Sequence, residues 1–207
     1  MGQLAPKGIT HAHLERANIG EDYWAADFST YLGPNSAAEL AKVYLKKLAE
    51  MKAKGIGLLL AGPPGPGKTT LATIILKYLA RANWTCYMIS LGDIVEHIQR
   101  GWSDKDEDSY ELLDKAKKAD FLLIDDVGKE HSGPTGFSAT VFDNLIRYRT
   151  QHRLPTILTT NLTERQIRNR YGDAFTSLIR GKCKVIEVND EDVRTTTLKP
   201  AVEEIFQ

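Results

Sequence analysis

The stretch whose residue types and spacing most clearly predict chemistry is rich in glycine and proline. It matches the pattern G-x-x-x-x-G-K-[ST] through the consecutive residues Gly62, Pro63, Pro64, Gly65, Pro66, Gly67, Lys68 and Thr69. Glycines let a loop backbone wrap an anion closely, and its N–H groups, with the positive end of a following helix, then point at phosphates. In this motif the lysine reaches the β- and γ-phosphates, and the threonine hydroxyl binds Mg²⁺. The stretch therefore predicts a site for a nucleoside triphosphate.

The residues that flank this loop supply the context that the motif requires. The apolar run Gly57–Ala61 precedes it and predicts a strand, and residues 70–80 follow with the spacing of a helix. We therefore assign nucleotide binding to the whole loop and to Thr70, a catalytic role to Lys68, and a Mg²⁺ ligand to Thr69. The alternative is a turn that only joins a strand to a helix, and the flanking pattern disfavours it.

Two aspartates at the end of a later apolar strand form the second candidate group. Residues 121–124 are all apolar and lead into Asp125 and Asp126. Ligands of open α/β folds bind at the carboxyl edge of the parallel sheet, where such carboxylates would lie. We expect Asp125 to hold Mg²⁺, directly or through water, and Asp126 to orient or deprotonate the attacking water. The alternative for each is a solvated aspartate that ends a strand.

A third candidate, Asn161, follows the strand predicted at residues 155–160. A polar side chain at an adjoining strand end can hydrogen-bond the γ-phosphate or the lytic water, which would make Asn161 a phosphate sensor. Asparagine also commonly ends a strand and starts a turn. The loop motif and the two aspartates in the same span favour the functional interpretation.

Strands and helices alternate around these three groups. Strands are predicted at residues 57–61, 84–90, 121–125, 155–160 and 184–188. Helices are predicted at residues 36–54, 68–81, 93–99, 110–119, 137–151 and 173–180, with residues 101–108 as a loop. Capping boxes are predicted at Ser36 and at Thr163, and Gly55 is a predicted helix C-cap. Short apolar strands separated by helices predict a parallel sheet covered on both faces.

The first part of the chain carries little periodicity. Residues 1–20 mix glycine, proline, histidine and charge, which predicts loosely ordered chain or a docking arm. An aromatic cluster then precedes the first long helix, at Tyr23, Trp24, Phe28 and Tyr31. It fits a hydrophobic cap on the core or a wall for an adenine ring, and one cluster can do both.

Composition limits the classes of protein that need to be considered. The chain of 207 residues has 27 basic and 27 acidic residues, so any contact with nucleic acid must be a local patch. Cys86 and Cys183 lie far apart without a metal-binding pattern, which predicts buried free thiols and a reducing compartment. No apolar run approaches a membrane span and no signal-peptide core is evident. We expect a soluble cytoplasmic protein without a membrane partner.

Taken in order, these residues resemble an AAA+ ATPase, and within that class the helicase loaders of the DnaC and DnaI kind and the IstB transposition ATPases. The resemblance runs over residues 23–194 and rests on five pieces of sequence. They are residues 62–69, 122–130, 147–149 and 155–161, and residues 171–173 followed by 177–188. Each piece is common among P-loop proteins, whereas the ordered set is fairly specific.

The resemblance implies a P-loop α/β fold, a three-layer sandwich around a five-stranded parallel sheet in the order 5-1-4-3-2. It implies ATP and Mg²⁺ as cofactors, and self-association into an arc, spiral or ring with ATP at subunit junctions. The implied partners are a hexameric replicative helicase and single-stranded DNA. We expect a short extension over residues 1–35, the ATPase domain over residues 36–194 and a tail over residues 195–207, without a helical lid. The family's amino-terminal partner-binding domain would then be reduced to a few tens of residues.

The implied function is ATP hydrolysis in DNA replication, by a helicase loader of cellular or phage type. Two alternatives stay open: an IstB-like transposition ATPase that acts on duplex DNA, and a nucleotide-controlled adaptor with negligible turnover. Basic residues on two neighbouring helices are candidates for a DNA groove or for solvated helix faces. They are Arg147, Arg149, His152, Arg153, Arg165, Arg168 and Arg170.

The sequence departs from the resembled family at the residue that would complete a neighbour's site. Those relatives usually carry Ser-Arg-Leu before the last strand, and that arginine reaches the γ-phosphate bound by the adjacent subunit. Aligned through Ser177, Gly181 and Cys183, this chain has Leu178 at that place. Our hypothesis is that Arg180 acts as the finger in trans. Lys182 is a further candidate. The alternative is that Arg180 complements the carboxyl end of its helix and that the protein hydrolyses ATP feebly alone, awaiting an arginine from its partner.

Overall fold

The computed structural model describes residues 8–65, 67–104, 107–130 and 136–189. The strands are β1 (Gly57–Ala61), β2 (Cys86–Ser90), β3 (Phe121–Val127), β4 (Thr156–Thr160) and β5 (Cys183–Glu187). The helices before β2 are α1 (His11–Arg16), α2 (Asn35–Lys46), α3 (Leu48–Lys54) and α4 (Lys68–Arg81), with a 3₁₀ turn at Glu21–Tyr23. Those after β2 are α5 (Leu91–Asp104), α6 (Glu107–Lys118), α7 (Phe137–Gln151), α8 (Glu164–Tyr171) and α9 (Asp173–Lys182).

The five strands form one sheet in the order β2-β3-β4-β1-β5, and every pair is parallel. This is the predicted order, read from the opposite edge. Ala61 is in register with Thr160 on one side and Glu187 on the other, while Asp125 pairs with Ser90. The carboxyl ends of the strands therefore meet at one edge, where the P-loop (residues 62–69) leaves β1.

Apolar side chains alternate between the two faces of the sheet, as expected when both faces are covered. Leu58 and Leu60 of β1 belong to the cluster formed with α1, α2 and α4, whereas Leu59 belongs to the cluster formed with α5 to α9. Leu58 and Leu60 are fully buried, and each such side chain contributes about 1.5–3 kcal/mol relative to exposure. The predicted three-layer α/β sandwich is confirmed.

The segment before α2 packs on the sheet and closes one of its edges. Leu14 and Ile19 are buried in the α2–α4 side of the core. The Met88 N–H donates to the Ala17 carbonyl at 2.9 Å, and the Asn18 side-chain amide donates to the Met88 carbonyl at 2.8 Å. The prediction of loosely ordered chain is therefore wrong for residues 8–20. The domain boundaries at residues 35 and 194 stay predictions, and residues 195–207 lie outside the described part.

Two local predictions about helices are wrong, because contacts made in the fold outweigh the local sequence signal. Helix α2 begins one residue before Ser36, since the Pro34 carbonyl accepts the first N–H groups and Ser36 is already inside the helix. The predicted loop at residues 101–108 is helical wherever it is described, as the end of α5 and the start of α6. Leu91 and Ile94 of α5 are fully buried, and this packing of the apolar face favours a helix that continues past residue 100. The capping box at Thr163 and the left-handed Gly55 C-cap are confirmed.

Arg149 is a buried structural residue, which corrects its assignment to a DNA-binding set. Its side chain is fully buried in α7 and donates to the carbonyls of Ala116, Ala119 and Pro155 at 2.8–2.9 Å. Burial lowers the pKa of Arg149 to about 9. The guanidinium satisfies carbonyls at the end of α6 and before β4, and it cannot contact DNA in this fold.

Cys86 and Cys183 are free and half-buried, and burial raises the pKa of both thiols. Across the described ranges, no helix combines the length and apolar character that a membrane crossing needs.

Candidate nucleotide site

A cavity of about 630 Å³ opens at the carboxyl edge of the sheet, above the start of α4. One side is the phosphate half, formed by the P-loop, the beginning of α4 and the loops after β3 and β4. The opposite side is a segment before α2, residues 21–33, which we call the strap. The lining residues are Asp22, Tyr23, Thr30, Tyr31, Leu32, Gly33, Pro64, Gly65, Gly67, Lys68, Thr69, Thr70, Asp126, Lys129 and Asn161.

Glycines shape the P-loop where other residues would not fit. Gly67 has φ of +81° and is the N-cap of α4, so it has no side chain with which to cap the helix. The first N–H groups of α4 are then left for an anion. A Cβ at Gly62 would come within 2.1 Å of the Val188 carbonyl oxygen. Gly62 and Pro63 border an adjoining cavity, and Pro66 lies outside the described residues.

Lys68 and Thr69 lie where the motif predicts, at the first turn of α4. The Lys68 side chain is buried, and its ammonium donates to the Pro63 carbonyl at 2.5 Å, so it folds back along the P-loop. The Thr69 hydroxyl donates to the Asp125 carboxylate at 2.9 Å. The threonine and the carboxylate predicted to share Mg²⁺ are therefore in contact.

Asp125 is set in the sheet rather than in solvent. Burial raises the pKa of its carboxyl group, while hydrogen bonds from the Thr159 and Thr69 hydroxyls oppose that shift. Hydroxyl and carboxylate oxygens are ligands that Mg²⁺ accepts, and in phosphate sites it takes few protein ligands. Among the described residues, no group of three or more His, Cys, Asp or Glu could hold a metal by itself. The pair thus fits a metal whose other ligands are phosphate oxygens and water.

Asp126 and Asn161 line the same cavity. Asp126 has φ of +56°, and its N–H donates to the Thr159 hydroxyl at 2.9 Å, at a bulge of β3 before Val127 pairs with Thr160. Its carboxylate forms an ion pair with Lys129 at 2.8 Å. The structure therefore brings together Lys68, Thr69, Asp125, Asp126 and Asn161 at one edge of the sheet, and their roles in catalysis stay predictions.

Arg180 lies away from this group. It is exposed on α9, pairs with Glu164 of α8, and borders the adjoining cavity beyond Pro63. It does not line the nucleotide cavity of its own subunit. A role in trans stays a prediction.

Sequence reasoning missed several parts of the cavity. Lys129 carried no motif of its own, although its position three residues after Asp126 was a usable signal. All four rings of the aromatic cluster pack against the core, and Tyr23 and Tyr31 also line the cavity. The cluster therefore serves as a cap on the core and as a cavity wall, as the sequence allowed.

The strap is fastened by a buried lysine that gave no signal in the sequence. The ammonium of Lys77, on α4, donates to the carbonyls of Tyr23, Trp24 and Ala26 at 3.1, 2.6 and 2.6 Å. Burial lowers its pKa, and the neighbouring Arg81 acts in the same direction. The helix that begins at the P-loop therefore also positions the opposite wall of the cavity.

The strand order, the P-loop between β1 and α4, and the acid at the end of β3 define an AAA+ ATPase fold. The family model described as IstB-like ATP binding protein matches residues 25–201. The chain therefore belongs to the IstB-like ATP-binding protein family, as the resemblance predicted.

Solved helicase loaders have the same fold. The crystal structure of the DnaC helicase loader has a TM-score of 0.68 at 22% identity, covering 82% of this chain and 99% of that chain. The crystal structure of DnaI has a TM-score of 0.67 at 25% identity, covering 82% and 94%.

A curated relative is the Holliday junction branch migration complex subunit RuvB of Phytoplasma mali (strain AT). It is 33% identical over 97 residues, which are 47% of this chain and 26% of that protein. The chain spans about a third or less of the curated relatives it matches.

Proposed function

We propose that the protein hydrolyses ATP and serves DNA replication as a helicase loader. The observation that carries the proposal is the Thr69–Asp125 contact beside Lys68, in a cavity also lined by Asp126 and Asn161. That arrangement would hold a triphosphate through Lys68 and a divalent metal ion through Thr69 and Asp125. The structural likeness to helicase loaders supports the replication role.

The chain's residues divide the work of hydrolysis. Lys68 and the first N–H groups of α4 hold the phosphates, while Thr69 and Asp125 hold Mg²⁺, which neutralises charge on the phosphates when bound. Asp126 orients the attacking water or accepts its proton, and Asn161 donates a hydrogen bond to the γ-phosphate or to that water. Water attacks the γ-phosphorus in line with the bridging oxygen, the bond between them breaks so that ADP leaves, and Asp126 or the phosphate takes the proton of the water.

The partners we propose are further copies of the chain, a hexameric replicative helicase and single-stranded DNA. Of the basic residues considered for DNA, Arg147, Arg168 and Arg170 pair with acids of the same chain. Exposed cations remain at Arg153 and Arg165. The exposed ion pairs of Arg147 and Arg168 contribute little and can give way to phosphates, so if these residues line a groove in an assembly, binding to single strands should need ATP and weaken steeply with salt.

One experiment separates the proposed function from its alternatives. ATP turnover is measured for the wild type alone, with single-stranded DNA and with duplex DNA, while Lys68→Ala is compared by calorimetry. Stimulation by single strands supports the loader, and stimulation by duplex supports the IstB-like transposition ATPase, which the family match favours as second candidate. Slow turnover unchanged by DNA supports the adaptor. Unchanged ATP affinity in Lys68→Ala would refute the nucleotide site.

The trans role of Arg180 has its own test. An Arg180→Ala subunit is mixed with a Lys68→Ala subunit, each inactive alone if Arg180 completes a neighbour's site. Partial recovery of turnover in the mixture supports the finger, since one intact site can then form at a mixed junction. Full activity of Arg180→Ala alone would exclude it.

A further inference from the structure

Lys129 lines the nucleotide cavity on the side of the two strand-end acids. It lies on the loop after β3, and its ammonium is 2.8 Å from the Asp126 carboxylate. The Lys129 side chain is 55% exposed and that of Asp126 is 37% exposed. An ion pair with this exposure contributes little to stability, so Lys129 can exchange Asp126 for a stronger partner.

The backbone that carries Lys129 is held on both sides. Before it, the Asp126 N–H donates to the Thr159 hydroxyl of β4 at 2.9 Å, and the Lys129 N–H donates to the Asp126 carbonyl at 3.1 Å. Beneath it, Gly128 has φ of +101°, and a Cβ there would come within 2.5 Å of Leu162. The turn therefore packs closely against the loop that follows β4.

After Lys129, the turn is anchored by a buried acid. The Glu130 side chain is 1% exposed and accepts hydrogen bonds from the Gly128 N–H, the Arg170 guanidinium and the Tyr171 hydroxyl at 2.8, 2.8 and 2.6 Å. Arg170 and Tyr171 belong to α8, so the turn is tied to the helical layer. The Lys129 backbone is thus fixed, while its long side chain keeps freedom to change partners.

The phosphate half of the cavity then contains two ammonium groups with different surroundings. Lys68 lies at the first turn of α4, and its ammonium is bonded to the P-loop backbone. Lys129 lines the same cavity and is bonded to Asp126, at the sheet edge where the attacking water would be held. Asp126 directly follows Asp125, whose carboxylate accepts from Thr69 next to Lys68, so Lys129 lies on the side where Thr69 and Asp125 would hold the metal and the terminal phosphate.

We propose that Lys129 is a further catalytic residue, which leaves Asp126 on nucleotide binding and contacts the γ-phosphate of ATP. The phosphate attracts the ammonium more strongly than one exposed carboxylate does, since it carries more charge and its oxygens are strong acceptors. The exchange frees the Asp126 carboxylate to receive the proton of the attacking water. The inference rests on the proposed ATP function and adds a γ-phosphate contact supplied by the same subunit.

The test compares binding of a non-hydrolysable ATP analogue with binding of ADP, by calorimetry with Mg²⁺. Lys129→Ala should weaken the analogue about 10-fold and change ADP affinity less than twofold, because ADP lacks the phosphate that Lys129 contacts. Lys129→Arg should retain most of the analogue affinity. The matched control is Lys54→Ala, which removes another half-exposed lysine, paired with Glu50 at 2.7 Å on α3 at the opposite edge of the sheet.

Each other outcome is decisive. Wild-type affinity for the analogue in Lys129→Ala would leave Lys129 as a surface ion pair only and overturn the proposal. An equal loss for the analogue and ADP would also overturn it, since it would mean that Lys129 shapes the cavity without contacting the γ-phosphate. Absence of nucleotide binding by the wild-type protein would instead overturn the ATP function itself, and the inference with it.

Discussion

The two halves of the nucleotide cavity are built in different ways. The phosphate half consists of side chains at the start of α4 and at the carboxyl ends of β3 and β4. Hydrogen bonds such as that from Thr69 to Asp125 at 2.9 Å hold them in place. The strap is a 3₁₀ turn followed by irregular chain, and Lys77 holds it through three of its carbonyl groups. Side chains at strand ends can perform chemistry, whereas a fastened loop can shape and close a pocket.

Both halves take their position from the same helix. Lys68 and Thr69 occupy the first turn of α4, and Lys77 fastens the strap from a later turn. The ring of Tyr31 also lies against the P-loop, since a Cβ at Gly67 would be 3.0 Å from it. If the halves have separate roles, a substitution in the phosphate half should lower ATP turnover more than it lowers ATP affinity. A substitution in the strap should instead lower the affinities for ATP and ADP equally.

The largest effect is expected for Asp125→Asn in the phosphate half. We expect turnover to fall at least about 100-fold, because the neutral amide holds Mg²⁺ poorly at the transferred phosphate. ATP affinity should change only a few-fold, since Lys68 and the P-loop remain. Steady-state hydrolysis and calorimetry measure the two quantities, with Asp114→Asn on the exposed face of α6 as control. Wild-type turnover would contradict the role of Asp125.

The next effect is expected for Lys77→Met in the strap. Losing the ammonium removes a donor from three carbonyls, although that of Tyr23 still accepts from the Ala26 N–H, and this costs about 2–4 kcal/mol of unfolding free energy. ATP and ADP should both bind more weakly by the same factor, because the strap loses its position while the phosphate half stays intact. Urea unfolding and calorimetry check this, with exposed Lys46→Met as control. A loss confined to ATP would show that the two halves are not separate.

The fold and the phosphate half were predictable because each depends on local pattern. The apolar run of β3 leads into Asp125, and this can be read from the sequence without knowing the place of the strand in the sheet. The glycines before Lys68 likewise predict the P-loop from neighbouring residues alone. Strand order followed from the resemblance, and it is confirmed. The ends of elements were less accurate, since the Pro34 carbonyl rather than the Ser36 hydroxyl begins α2.

What could not be predicted is the burial of cations by distant parts of the chain. Lys77 and Arg149 each lie in a helix where charged residues usually face solvent, and both are nearly fully buried. Most of their partners are backbone carbonyls, several of them 30 or more residues away, and a carbonyl has no residue type to mark it. The strap could therefore be suspected from Tyr23 and Tyr31, but its fastening could not.

The smallest effect is expected for Tyr31→Ala, which removes a ring from the strap side of the cavity. We expect ATP and ADP to bind about 3- to 10-fold more weakly, since stacking on an aromatic ring contributes about 1 kcal/mol or somewhat more. Tyr31→Phe keeps the ring and should bind nearly as the wild type does.

Inorganic triphosphate sharpens this last comparison, because it has no base. If the ring contacts adenine, Tyr31→Ala should bind inorganic triphosphate as tightly as the wild type does. If the ring instead supports Gly67, affinity for inorganic triphosphate should fall as far as that for ATP, because the P-loop itself is then disturbed. The second result would mean that Tyr31 acts by supporting the P-loop, so that it belongs to the phosphate half although it lies on the strap.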